Sequence, residues 1–139
     1  MDMTVREQIQ DGVRKIGKII KDVREEVGID LKTVQTESGL EYRFLHNLEE
    51  GTIGVREIKI AYIKTLMDYL PLTYLEKKQI VENLRISMSL SDKEHNYERF
   101  YEQREGDNKL IESMIYDNWK RFTKNLFFIV LPYITWHNL

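Results

Sequence analysis

The sequence predicts an all-α protein, and three observations carry that reading. Apolar residues recur at steps of three and four over long stretches, capping side chains stand where those stretches begin, and no segment shows the two-residue alternation of a strand. The first stripe is Val5, Ile9, Val13, Ile16, Ile20, Val23 and Val27, opened by a capping box of Thr4 and Glu7 and closed by Gly28. Gly12 and Gly17 lie inside it. Each costs about 1 kcal/mol relative to alanine, so the segment is expected to break near Gly12 or to use Gly17 for close packing. Asp30 is an N-cap for a short helix to Ser38, and Gly39 suits a turn of positive φ. A second short helix is expected from about Glu41 to Glu50, ended by Gly51. Val55, Ile58, Ile60, Ile63, Leu66, Met67 and Leu70 mark a fourth helix that stops before Pro71.

Pro71 is the expected boundary between a unit at 1–70 and a region at 71–139. Beyond it, Thr73 with Glu76 and Ser91 with Glu94 form two more capping boxes, predicting helices over about 74–88 and 92–103. The polar run 103–108 reads as a loop, and a last helix is expected from about Lys109 to Leu131, where Pro132 stops or kinks it. The second half is therefore expected to hold about three helices.

Composition narrows the function. With 139 residues, 42% hydrophobic and 32% charged, the chain has the make-up of an ordinary globular protein. It has no cysteine, which removes disulfides, thiolate metal sites and a cysteine nucleophile together and points to a reducing, cytoplasmic setting. The N-terminal residues lack the apolar core of a secretory signal, and the longest apolar run, Leu126 to Leu131, is too short to span a bilayer, so no membrane association is expected. His46, His95 and His137 are far apart and lack metal-ligand spacing; no cofactor or metal is expected. No nucleophile elbow, phosphate-binding glycine loop or serine beside an evident base is present, and catalysis is not expected. The net charge is −2, with 11 Lys and Arg against 13 Asp and Glu in 1–72, and 10 against 10 in 73–139. Nucleic-acid binding would have to rest on a local basic face.

The most informative stretch runs from Leu31 to Gly51. With Leu31 as the first position of a two-helix unit, Val34, Ser38, Leu40, Leu45 and Leu48 occupy the sites that face inward when two helices meet at a steep angle, and Gly39 makes the turn. Tyr42, Arg43, His46 and Asn47 fall on the opposite face of the second helix. This stretch, with Ile16, Gly17, Ile20, Val23 and Arg24 before it, resembles the lambda Cro and repressor type of helix-turn-helix, the XRE family, over about Val13 to Leu70. The resemblance implies an N-terminal four-helix Cro/repressor-like domain with the helical region of 71–139 appended. It also implies a structural ion pair between Arg24 and Glu49, and double-stranded DNA read by Tyr42, Arg43, His46 and Asn47, with Lys32 on phosphate. Two positions depart from the family pattern: Gln35 stands where a small alanine is usual, and must bend outward or widen the crossing, and Leu31 stands where a polar residue often grips the backbone.

In the second half the aromatic residues Tyr74, Tyr97, Phe100, Tyr101, Tyr116, Trp119, Phe122, Phe127, Phe128, Tyr133 and Trp136 have helical spacing in a charge-balanced context, which reads as core or interface. Leu110, Ile111, Met114, Ile115, Phe122, Leu126, Phe127 and Ile129 form a wide apolar surface, and homodimerisation through it is expected. The tail 135–139 is expected to pack across that surface or on a partner subunit. The expected function is a sequence-specific, dimeric DNA-binding repressor of the kind this family contributes to phages and mobile elements. The alternative is a protein-binding module on the same fold, such as an antirepressor or an anti-CRISPR or other defence inhibitor, favoured by Leu31, Gln35 and the carboxylates around the second short helix.

Overall fold

The computed structural model describes the backbone of residues 3–94 and 101–137 and the side chains of 3–93 and 105–124. Among the described residues every regular element is helical: α1 (Val5–Val27), α2 (Leu31–Ser38), α3 (Tyr42–Glu49), a single 3-10 turn at Val55–Glu57, α4 (Ile60–Tyr69), α5 (Tyr74–Glu94) and α6 (Tyr101–His137). Thr4 accepts a hydrogen bond from the Glu7 amide at 3.2 Å to start α1, and Gly28, at φ 80°, ends it. Thr73 and Glu76 form a reciprocal box at the start of α5, with bonds of 2.9 and 3.1 Å.

α1 runs unbroken through both of its glycines because each lies against a neighbouring helix. A Cβ at Gly17 would collide with the carbonyl oxygen of Leu48 in α3, and one at Gly12 with the hydroxyl of Ser87 in α5. The buried Ser87 Oγ in turn donates to the Ile9 carbonyl at 3.0 Å. α1 thus packs on α3 along one side and on α5 along another, while α6 packs on α5 and α4. Ile9, Val13, Ile16 and Ile20 of α1, Val34 of α2, Leu45 and Leu48 of α3, Ile63 and Leu66 of α4, and Ile80 and Leu84 of α5 belong to one apolar cluster, which Ile111 and Met114 of α6 join. Residues on both sides of Pro71 share that cluster.

The second half differs from its expected layout. Ser91 and Glu94 do not open a helix: both lie in α5, where Ser91 is buried one turn beyond Ser87 on the same face. These serines are small residues on an inward stripe rather than caps. The run 103–108 is helical, and Glu105, Gly106 and Asn108 are exposed, so its polarity belongs to a solvent-facing helix surface and not to a loop. The helices expected over 92–103 and 109–131 are replaced by the end of α5 and by α6, which continues past Pro132, so the described residues of the second half form two helices instead of three. Ahead of α4, Val55–Glu57 forms the 3-10 turn and the α-helix begins only at Ile60. Ile111 and Met114 are core residues and not outer surface. The side chains of Tyr97, Phe100, Tyr101, Leu126, Phe127, Phe128, Ile129, Tyr133, Trp136, His95 and His137, and the end of the tail at 138–139, lie outside the described residues.

The two kinds of helical glycine separate experimentally. Gly17→Ala is expected to destabilise the protein by about 1–3 kcal/mol, since a backbone carbonyl must move. Gly106→Ala, with no atom within 4 Å of the new Cβ, is expected to stabilise α6 by about 1 kcal/mol. Urea denaturation of both variants checks this; equal effects would refute the close approach of α1 and α3.

Candidate nucleic-acid interface

α2 and α3 are short helices held by their neighbours more than by their own length. Asp30 caps α2, its Oδ1 accepting from the Thr33 amide at 2.8 Å and the Thr33 hydroxyl at 2.7 Å. These bonds hold the Asp30 carboxyl below its ordinary pKa. Gly39, at φ 76°, makes the turn, with the Ser38 hydroxyl donating to the Val34 carbonyl at 2.5 Å and accepting from the Leu40 amide at 3.2 Å. Val34, Leu40, Leu45 and Leu48 are buried, Leu31 packs half-buried against the core, and Gln35 is exposed, so its side chain goes outward into solvent.

The outer face of α3 carries Tyr42, Arg43 and His46, all exposed, and Asn47, half-buried. At 100° per residue these positions sweep about 140° of the helix circumference. The Tyr42 and His46 rings are nearly parallel, 5° apart in plane with centroids 6.1 Å apart, and present one flat edge along the helix. Asn47 also works through its backbone: its carbonyl accepts from the amides of Thr52 at 3.0 Å and Ile53 at 3.2 Å, closing the turn after α3. Lys32 is exposed at the second residue of α2.

Arg24 and Glu49 fix α3 against the end of α1. Arg24 Nε donates to Glu49 Oε2 at 2.7 Å and a terminal nitrogen donates to Oε1 at 2.8 Å, while the other terminal nitrogen donates to the Ile29 carbonyl at 2.7 Å. The side chains are 13% and 3% exposed. The hydrogen bond to Glu49 is the main reason the guanidinium is held above its ordinary pKa.

The carboxylates around α3 are mostly engaged. Glu49 is neutralised by Arg24, Glu50 lies 3.6 Å from Lys21, and Glu37 accepts a short hydrogen bond from the Tyr69 hydroxyl of α4. Glu41, exposed at the start of α3, is left without such a contact among the described residues. Local sequence patterns did not disclose Gln10, whose side-chain amide donates to the carbonyls of Gly51 at 2.5 Å and Ile53 at 3.2 Å and so anchors the turn after α3 to α1. Its partners stand more than forty residues away, and a glutamine on a helix gives no sign of that. Among the described residues no group of three ligating side chains could hold a metal, and no helix is long and apolar enough to cross a membrane.

Comparison of the chain with protein-family models, curated proteins and solved structures returned no match. Arg24→Ala is expected to cost about 3–5 kcal/mol, because it leaves a buried carboxylate without its partner. Arg24→Ala combined with Glu49→Leu is expected to recover a substantial part of that loss. Chemical denaturation of the single and double variants measures it, and a single-variant loss below about 1 kcal/mol would mean that the pair behaves as a surface ion pair.

Proposed function

We propose that the chain is a sequence-specific DNA-binding regulator of the Cro/repressor helix-turn-helix type, acting as a dimeric repressor that occludes a promoter. One observation carries the reading: α3 buries Leu45, Leu48 and Glu49 and turns Tyr42, Arg43 and His46 to solvent. A major groove admits a helix presented this way. Arg43 would grip a guanine edge through two bonds, Asn47 would read adenine with the exposed part of its amide, and the Tyr42–His46 edge would lie along bases or sugars. Lys32 would neutralise a phosphate beside the groove. The alternative, a protein partner on the same face, draws support from the scarcity of cations, with only Lys32 and Arg43 among the lysines and arginines of α2 and α3.

Dimerisation belongs to the same proposal, since two half-site contacts joined in one particle multiply a weak affinity. The apolar side chains Leu75 and Ile86 of α5 and Tyr116 of α6, each more than half exposed, supply surface for it in the C-terminal helices.

Fluorescence anisotropy with DNA from upstream of the gene tests the DNA reading. Arg43→Ala and Asn47→Ala are each expected to weaken operator binding by about 1–3 kcal/mol. One phosphate contact, from Lys32 of each of two protomers, predicts a log–log salt slope of about −1.8. A flat salt dependence with unchanged affinity in both variants would transfer the face to a protein partner. Sedimentation at micromolar concentration is expected to give twice the chain mass of 16.7 kDa, and a strictly monomeric result would remove the dimer.

A further inference from the structure

α5 and α6 leave a groove of about 240 Å³ between them, its lining including Tyr74, Lys78, Val81, Glu82, Arg85 and Trp119. We propose that this groove binds a small amphipathic monocarboxylate, an aromatic ring or a short alkyl chain bearing one carboxylate. It is distinct from the outer face of α3 and stands whether or not that face takes DNA.

The floor and walls are apolar. Val81 is buried beneath the groove, while Ile115 is 41% and Trp119 53% exposed beside it. Tyr74 is held in place twice, by stacking on Phe122 with centroids 4.4 Å apart and by its carbonyl accepting from the Asn118 side-chain amide at 3.3 Å. The wall is therefore set before any ligand arrives, which lowers the ordering cost of binding. A groove of that volume has room for an aromatic ring or a short alkyl chain.

Charge selects the other end of the ligand. Lys78 and Arg85 stand seven residues apart on α5, about 10 Å along its axis, and both line the groove. Neither forms an ion pair or side-chain hydrogen bond with another described residue. This contrasts with the lysines of α1, where Lys15, Lys18 and Lys21 each have a carboxylate within 4 Å. Two unengaged cations above an apolar floor complement an anion with an apolar body, and the guanidinium offers a carboxylate two parallel donors. Glu82 lines the same groove, so the three charged side chains sum to a single positive charge. That balance accepts a monoanion and penalises a dianion such as a phosphate monoester.

Isothermal titration of the 139-residue chain in the absence of DNA, with 2-naphthoate as probe, tests the site. Saturable binding with one site per chain is expected, with 2-naphthalenemethanol and 2-naphthyl phosphate each binding about tenfold more weakly. Lys78→Gln and Arg85→Gln, both at exposed positions, are expected to reduce naphthoate affinity about five- to tenfold and to leave the alcohol's affinity unchanged. Ile115→Asn is expected to weaken acid and alcohol together. Thermal unfolding of each variant, matched to the parent chain, confirms that the fold is retained. The proposal is overturned if naphthoate shows no saturation at millimolar concentration, or if acid and alcohol bind equally. It is also overturned if naphthoate affinity falls as protein concentration rises, because a second copy of the chain would then be the occupant of the groove.

Discussion

The backbone of α1 is bare at two points, Gly12 and Gly17, and the placement of the remaining helices depends on it. At Gly17 the α1 chain meets the Leu48 carbonyl of α3, and at Gly12 it meets Ser87 of α5. A side chain at Gly17 would push α1 and α3 apart at Leu48, and one at Gly12 would displace the Ser87 hydroxyl, beside Val13, Ile16, Ile20 and Leu84, all of which are almost completely buried. The hydrogen-bonded contacts then follow the same spine. Gln10 holds the turn after α3 from one end of α1, Arg24 holds Glu49 from the other, and Ser87 joins α5 to the Ile9 carbonyl. The apolar contacts supply the driving force and the polar ones fix register, since a misplaced α3 would leave Glu49 buried without its guanidinium.

How much of this was legible in the sequence follows from how local each signal is. Thr4, Gly28, Asp30, Gly39 and the Thr73–Glu76 box act within a few residues of themselves, and they mark boundaries that the structure shows at the same places. Ser91 with Glu94 has the identical local pattern and marks no boundary, because the inward stripe of α5 continues through it and burial of that stripe overrides the capping preference. The polar run at 103–108 misleads for the converse reason: a helix face turned to solvent has the composition of a loop. The contacts of Gly12 with Ser87 and of Gln10 with Gly51 join residues far apart in the chain, and no local spacing encodes them.

The candidate sites divide along the same line. The outer face of α3 could be drawn from sequence because one helix of known register carries Tyr42, Arg43 and His46, although the stacking of Tyr42 on His46 and the half-burial of Asn47 required coordinates. The α5–α6 groove could not be drawn at all. Its walls come from two helices whose relative placement depends on α1 and α4, and that Lys78 and Arg85 meet no carboxylate among the described residues is a property of that placement.

A physical separation between fold and partner results. The residues that hold α3 in position, Gly17, Arg24, Leu45, Leu48 and Glu49, face inward, whereas the residues available to a partner contribute little to the core. The outer face can therefore exchange one partner for another by surface substitutions that cost little stability, most of them within about 0.5 kcal/mol. Coupling between that face and the groove is more demanding. Both are connected to α1, one through Gly17 and the other through α5 and Gly12. Occupancy of the groove changes binding at α3 only if the ligand has different affinities for two arrangements of α5 against α1. The buried Ser87–Ile9 hydrogen bond resists such a rearrangement, so any coupling has to work against the same contact that keeps the spine intact.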